Sequence, residues 1–92
     1  MAEQTTFTRA ARSNCLRIGL EEDEARNVVD FPDEEFDHPD RLDPETVFSY
    51  SARYLPADMV LVVTWRQLAD RKLASRVKMI SRDDYERLRA AA

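Results

Sequence analysis

A chain of 92 residues with a net charge of −4 is expected to fold as one domain, residues 1–92, because two separate cores would each be too small. Its 43% hydrophobic and 35% charged residues exclude a disordered chain, and no apolar run approaches the roughly 20 residues that cross a bilayer. A single cysteine and an N-terminus without a secretory layout favour a cytoplasmic protein.

The N-terminal third predicts two helices separated by the only glycine. Apolar residues at positions 7, 11, 15 and 18 share one face of a helix over 7–18, with a threonine at position 5 or 6 as its N-cap. Gly19 is expected to end this helix in the left-handed conformation, which glycine adopts without steric cost. A second helix over 21–29 begins with four acidic residues, where the helix dipole favours negative charge, and Pro32 follows its end.

An acidic segment follows. Residues 21–47 hold twelve acidic side chains against Arg26 and Arg41, a net charge of −10 that leaves +6 for the rest of the chain. Residues 33–44 contain two prolines and little apolar surface, which predicts an extended loop with the least internal order. Charge alone leaves two alternatives open, a surface for a cationic partner and a solvated loop.

The C-terminal half predicts an antiparallel sheet and a last helix. Alternation over 47–54 is typical of a half-buried strand, and the apolar run over 59–65 predicts a central strand buried on both faces. A third strand is expected over 74–80, and Ser81 is a suitable N-cap for a helix over 82–91. The predicted fold class is therefore α+β, with two N-terminal helices, an antiparallel sheet of three or four strands and a C-terminal helix.

Metal and cofactor chemistry finds little support in the sequence. His38 is the only histidine, and although Asp37 and Asp40 lie near it, no second histidine or cysteine pair completes a zinc site. A solvated loop histidine is the favoured interpretation. Cys15 lies on the apolar helix face and is expected in the core, and neither a metal nor a cofactor is predicted.

Basic residues near the C-terminus form the main candidate site. Arg76 and Lys78 alternate and so share one face of the third strand, while Arg66 follows the central strand and Arg82 opens the last helix. A cationic face suits phosphate contacts, which dominate binding to nucleic acid, and nearby aromatic residues (Tyr50, Tyr54 and Trp65) would stack on bases. The alternative is the charged face of an edge strand, which prevents aggregation.

Short motifs follow one another between residues 14 and 87. They are Asn14 to Leu20 at the end of the first helix, Glu24-Ala25, Val28-Val29 with Phe31-Pro32, Val63 to Arg66, and Lys78 to Ser81 before the last helix. Their order and spacing resemble those of the BrnT toxin family, ribonucleases with a RelE-like fold. A related group of small domains with the same layout is the alternative assignment.

The resemblance implies a metal-independent endoribonuclease that a small antitoxin neutralises. In that reaction a ribose 2′-hydroxyl attacks the adjacent phosphate, which needs a base, an acid and cationic stabilisation. Ile18 stands where the family has a histidine and cannot transfer a proton, so Tyr85 or an acidic residue would have to replace that base. The expected catalytic residues are Arg17, Arg66, Lys78 and Arg82, and the expected RNA-binding residues are Asn14 and Arg76.

A second function stays open beside the enzyme. A net charge of −4 is unusual for a protein that cuts RNA, since nucleic-acid-binding domains are commonly basic. The alternative is a non-catalytic protein-binding module, or a phage-type inhibitor, whose acidic segment is the contact surface. RNA and an antitoxin are the partners expected of the enzyme, another protein is expected of the module, and neither function involves a membrane.

Overall fold

The computed structural model describes residues 4–39, 42–43 and 45–91, which form a five-stranded sheet with helices on both faces. The architecture is α+β, as predicted. No helix in the described part of the chain is long and apolar enough to cross a membrane. The strand order is β1-β5-β4-β3-β2. In chain order the elements are β1 (Thr5–Phe7), α1 (Arg9–Ile18), α2 (Glu22–Asp30), β2 (Glu34–Pro39), β3 (Val47–Leu55), β4 (Met59–Gln67), β5 (Lys72–Ser81) and α3 (Arg82–Ala90).

The sheet is mixed, which corrects the antiparallel prediction. β1 pairs with β5 in parallel, from Thr5 opposite Lys72 to Phe7 opposite Ala74, whereas the other neighbouring strands are antiparallel. A strand of three residues is too short to give a recognisable pattern, so β1 was not predicted. Because β1 covers only the beginning of β5, no described strand pairs with residues 75–81 on that edge.

α1 begins at Arg9, two residues later than predicted. The Ala11 amide donates a hydrogen bond to the Thr8 hydroxyl at 3.1 Å, so Thr8 is the N-cap and the cap expected at position 5 or 6 is wrong. Phe7 precedes the helix but packs in the same core as Ala11 and Cys15. Because Phe7 is buried in the same core as the helix residues, its spacing from Ala11 and Cys15 resembled that of a residue on the helix face.

Gly19 ends α1 in the left-handed conformation, as predicted, with φ 71° and ψ 30°. The Leu20 amide donates to the Cys15 carbonyl at 2.9 Å, and the Gly19 amide donates to the Leu16 carbonyl at 3.3 Å. These two bonds are the Schellman arrangement that commonly closes a helix. The chain therefore reverses within a few residues, and α2 begins directly after Glu21.

The acidic segment forms an edge strand over residues 34–39, so the loop predicted there is wrong. β2 pairs with β3 in antiparallel register, and Phe36 on β2 stacks on Tyr50 of β3 with ring centroids 5.1 Å apart. Pro39 is tolerated because it is the last residue of an edge strand. Charge and proline are common on edge strands, which is why the composition resembled that of a loop. Three residues of the predicted loop, Asp40, Arg41 and Pro44, lie outside the described residues.

Two cores pack on opposite faces of the sheet. α1 and α2 cover one face, where Val28 and Val63 are fully buried. α3 covers part of the other face, where Tyr85 packs with Val60 and Val62. Residues of β4 alternate between the two cores, so β4 is the central strand buried on both faces that its apolar run predicted. α3 begins after the predicted N-cap, because the Ser81 hydroxyl accepts the amide hydrogen of a first-turn residue.

Replacing Gly19 with alanine should lower the free energy of unfolding by about 1 kcal/mol, because a Cβ is disfavoured at positive φ. Apart from the residues adjacent to Gly19 in sequence, no atom lies within 4 Å of the position that this Cβ would take. The loss of stability should therefore come from backbone conformation rather than from a steric clash. Urea unfolding of the natural protein and of Gly19→Ala and Gly19→Asn measures the loss. Asparagine tolerates this conformation better than alanine, so equal losses would contradict the explanation.

Candidate nucleic-acid interface

α1 lies along the open half of β5 and supplies a side chain to its backbone. The Val77 amide donates a hydrogen bond to Asn14 Oδ1 at 3.0 Å, so an N–H group that faces no described strand is satisfied. Asn14 was predicted to bind RNA, and its carbonyl oxygen is used within the protein instead. Its Nδ2 group has no hydrogen-bond partner among the residues that the structure describes.

A groove of about 450 Å³ opens between the end of α1 and the open edge of β5. Three exposed cationic side chains reach it, Arg17 from α1 and Arg76 and Lys78 from β5. None of the three has an ion-pair or hydrogen-bond partner within residues 4–39, 42–43 and 45–91. We call this the basic groove; it is lined by Asn14, Arg17 and Ile18 and by residues 76–80.

Most other arginines in the described chain are already occupied. Arg53 donates to the backbone carbonyls of Asn27 and Phe31. Six more lie within ion-pair distance of a carboxylate, so their charge is balanced inside the molecule. The basic groove thus gathers cations that the acidic residues of the protein leave unbalanced. The six paired arginines are Arg12, Arg26, Arg71, Arg82, Arg87 and Arg89.

Arg66, a predicted catalytic residue, lies outside the basic groove. It is exposed near the end of β4, on the same face of the sheet as Lys78, which is opposite Val62. Arg66 lies four positions beyond Val62, so the two cationic positions are separated by roughly 13 Å along the strand direction. One phosphate cannot contact both side chains at that separation without a change in their positions.

Arg82, another predicted catalytic residue, is held by neighbours at the start of α3. Its Cζ atom lies 4.6 Å from the centroid of the Tyr54 ring, and its Nε atom lies 4.0 Å from Glu86 Oε1. A guanidinium over an aromatic face is attracted by the ring, so Arg82 has a structural contact that Lys78 lacks. The structure therefore brings together four of the six predicted site residues and leaves Arg66 and Arg82 apart from them.

Tyr85 is unsuited to the role of a substitute base. Its side chain is fully buried between α3 and the sheet, and its hydroxyl donates a hydrogen bond to Glu34 Oε1. Burial, and then this bond to Glu34, raise the pKa of the Tyr85 hydroxyl well above its usual value. Arg89 Nε lies 3.1 Å from the same carboxylate oxygen and forms an ion pair with it. This contact joins α3 to the edge strand β2 and is therefore structural.

Two other titratable candidates are also engaged in the fold. His38 Nδ1 lies 2.7 Å from the Pro39 carbonyl oxygen and Nε2 lies 2.9 Å from the Ala91 carbonyl oxygen, so both ring nitrogens face acceptors. Cys15 is buried, and burial followed by the Glu22 carboxylate raises the pKa of its thiol. Within the described residues, no group of three or more ligating side chains is arranged to hold a metal ion.

A second groove, of about 730 Å³, adjoins the first on the face of the sheet that α3 partly covers. It crosses four strands, from β2 to β5, and α3 forms one of its sides. Arg76 lines both grooves, so the two meet at this residue on β5. We call this the aromatic groove; its principal lining residues are His38, Phe48, Tyr50, Thr64, Arg76 and Leu88.

The aromatic groove was only partly foreseen. Of the aromatic residues expected to stack on bases, Tyr50 lines it, but Trp65 is buried in the opposite core and Tyr54 lies beneath an arginine. Phe48 was missed as a site residue, although its alternation with Tyr50 placed both on one strand face. The sequence offered His38 only as a metal ligand or a solvated residue, because the strand that carries it was predicted to be a loop.

Comparisons with known proteins found no matching family model, no matching curated protein and no matching solved structure. The function is therefore inferred from the geometry and charge of the two grooves.

The buried Tyr85 hydroxyl predicts a loss of stability in alkaline solution. Since folding raises its pKa, its contribution to the free energy of unfolding is fully present below the unfolded pKa of 10.0 and is lost as the pH rises toward the folded value. Between these values stability should fall by about 1.4 kcal/mol per pH unit for this group. Urea unfolding at several alkaline pH values measures the slope.

Tyr85→Phe should remove the part of the alkaline fall in the free energy of unfolding that is due to the Tyr85 hydroxyl. Tyr50→Phe, which also removes one phenol, is the control. A slope that stays the same in Tyr85→Phe would contradict the assignment.

Proposed function

We propose that the protein is a toxin-like, BrnT-type RNA-binding protein that acts in the cytoplasm and holds RNA phosphates in the basic groove. The observation that carries this proposal is the convergence of Arg17, Arg76 and Lys78 on one groove, with no carboxylate partner in the described chain. Guanidinium and ammonium groups only donate hydrogen bonds and phosphate oxygens accept them, so the groove and the RNA backbone are complementary. A small antitoxin is the proposed protein partner.

Protection of a strand edge explains only part of this arrangement. Charged side chains on an open edge prevent aggregation, and Arg76 and Lys78 alone would serve that purpose. Arg17 comes from the last turn of α1, where it also faces the negative end of the helix dipole. A cation from a second element is not needed to protect the edge, but it encloses the groove from another side and so favours binding of an anion.

The basic groove is suited to binding RNA rather than to cutting it. Cleavage through a ribose 2′-hydroxyl needs a proton acceptor and a proton donor within hydrogen-bond reach. The lining residues supply arginine, lysine, asparagine and apolar side chains, and arginine stays protonated at neutral pH. Ile18, at the position of the family's histidine, is among them. The proposed function is therefore RNA binding by a degenerate ribonuclease site.

Removing Arg17 or Lys78 should weaken binding of single-stranded RNA by roughly 1 kcal/mol or more at low salt. The slope of log K against log salt should fall by about 0.7 for each phosphate that the variant no longer binds, because fewer counterions are released. Fluorescence anisotropy of a labelled RNA at several salt concentrations measures both quantities for Arg17→Ala and Lys78→Ala.

Arg9→Ala is the matched control. Arg9 is exposed on the same helix as Arg17, has no ion pair with any described residue and lies outside the basic groove. Arg9→Ala therefore changes the net charge by the same amount as Arg17→Ala, but at a position away from the groove. Equal affinities and salt slopes for Arg9→Ala and Arg17→Ala would overturn the proposal.

The natural protein should bind RNA without cutting it, whereas Ile18→His should gain cleavage. The imidazole would add a group that titrates near neutral pH next to the bound phosphate. Gel analysis of end-labelled RNA after incubation measures cleavage, and Ile18→Gln controls for polarity without titration. Cleavage by the natural protein that disappears in Arg17→Ala would contradict a binding-only site and support an active endoribonuclease.

A second candidate function is protein binding through β2. The specific observation is that the acidic segment forms a strand with no described strand on its outer edge, and that Glu35 and Asp37 on this strand are exposed. Such an edge can accept a strand from another protein, and its carboxylates favour a cationic partner. That partner would be a basic antitoxin or, for a phage-type inhibitor, a nucleic-acid-binding protein. Failure of the natural chain to bind RNA at low salt would leave this function as the better account.

A further inference from the structure

Apart from Arg76, which lines both grooves, the residues of the aromatic groove take no part in the phosphate binding proposed for the basic groove. Its volume of about 730 Å³ lies within the range of sites that hold small ligands and exceeds the 450 Å³ of the basic groove. Aromatic rings line the aromatic groove and are absent from the lining of the basic groove, which has three cationic side chains instead of one. Two adjoining grooves of such different chemistry suggest a ligand with two different parts.

We propose that the aromatic groove binds the base of a guanine nucleotide whose phosphate lies in the basic groove. The inference rests on the proposed RNA binding and extends it to the part of RNA that is recognised. Arg76 is the residue that connects the two, because it lines both grooves. Base and phosphate of one nucleotide would thus be held on the two sides of the same strand edge.

The rings of the groove provide a surface on which a base can stack. Phe48 is half-buried, and no described ring lies in stacking contact with it, so it keeps a face for a ligand. Tyr50 is stacked on Phe36, and His38 meets it edge-on with ring centroids 6.4 Å apart. Aromatic side chains that are already fixed lose little entropy when a base stacks on them.

The polar groups of the groove favour a base that offers acceptors. The Arg76 guanidinium and the Thr64 hydroxyl form no hydrogen bond with any side chain or backbone group in the described chain. Arginine has five N–H donors and no acceptor, enough for a phosphate oxygen and a base edge together. Guanine presents two acceptors, O6 and N7, on one edge, which is the edge that arginine commonly recognises.

The test compares guanosine monophosphate, ribose 5-phosphate and inorganic phosphate in nuclear magnetic resonance titrations of the full chain. Guanosine monophosphate should bind about tenfold more tightly than ribose 5-phosphate, a difference typical of one base stacked on an aromatic ring. Phe48→Ala should remove that difference and leave the affinity for ribose 5-phosphate unchanged. Phe31→Ala is the matched control, since Phe31 is 70% exposed at the end of α2 and lines neither groove.

The outcomes separate this inference from the proposed function. Equal affinities for guanosine monophosphate and ribose 5-phosphate, with both weakened by Arg17→Ala, would overturn base binding and leave phosphate binding in place. No binding of any of the three ligands, together with no retention of RNA at low salt, would overturn both. Phe48→Leu, which keeps apolar volume without a ring, is used if Phe48→Ala does not fold. An unchanged tenfold preference in a folded Phe48 variant would also overturn the inference.

Discussion

The hydrogen bond from the Val77 amide to Asn14 Oδ1 joins α1 to the open half of β5 and so determines where the basic groove forms. β1 is only three residues long, and beyond it α1 takes the place at which a further strand would pair. Without the Asn14 side chain, a backbone N–H group beside the helix would have no partner, which is costly in a partly buried position. The bond thereby keeps Arg17 of the helix next to the cations of the strand.

Strand order keeps the acidic strand β2 away from the basic groove. The acidic strand β2 and the basic half of β5 are separated by β4 and β3, which corresponds to roughly 14 Å at the usual spacing between strands. That distance exceeds the Debye length of about 8 Å at physiological ionic strength, so the acidic edge has little effect on the basic groove. A net charge of −4 is thus compatible with a local site for an anion.

The two grooves divide recognition between a rigid sheet and a helix end. Phe48 and Tyr50 project from β3 and Arg76 projects from β5; both strands pair with β4, and the ladders of hydrogen bonds fix their backbone positions. In the proposed complex these residues hold the nucleotide, while Arg17 closes the groove from the end of α1. Ile18 beside it explains how such a site would keep binding without proton transfer, because phosphate binding depends on charge and geometry and cleavage also needs a titrating group.

The sequence alone determined those features that depend on residues close together in the chain. Gly19 as a helix end, Ser81 as an N-cap and the apolar run of β4 each follow from a few neighbouring residues. Strand pairing decided the rest, because its partners lie far apart in sequence and leave no local pattern. Only the tertiary structure placed β1 beside β5, made a strand of the acidic segment and put Phe48 in one groove with Arg76. For the same reason only sheet register could show that Arg66 lies away from the cations with which the sequence had grouped it.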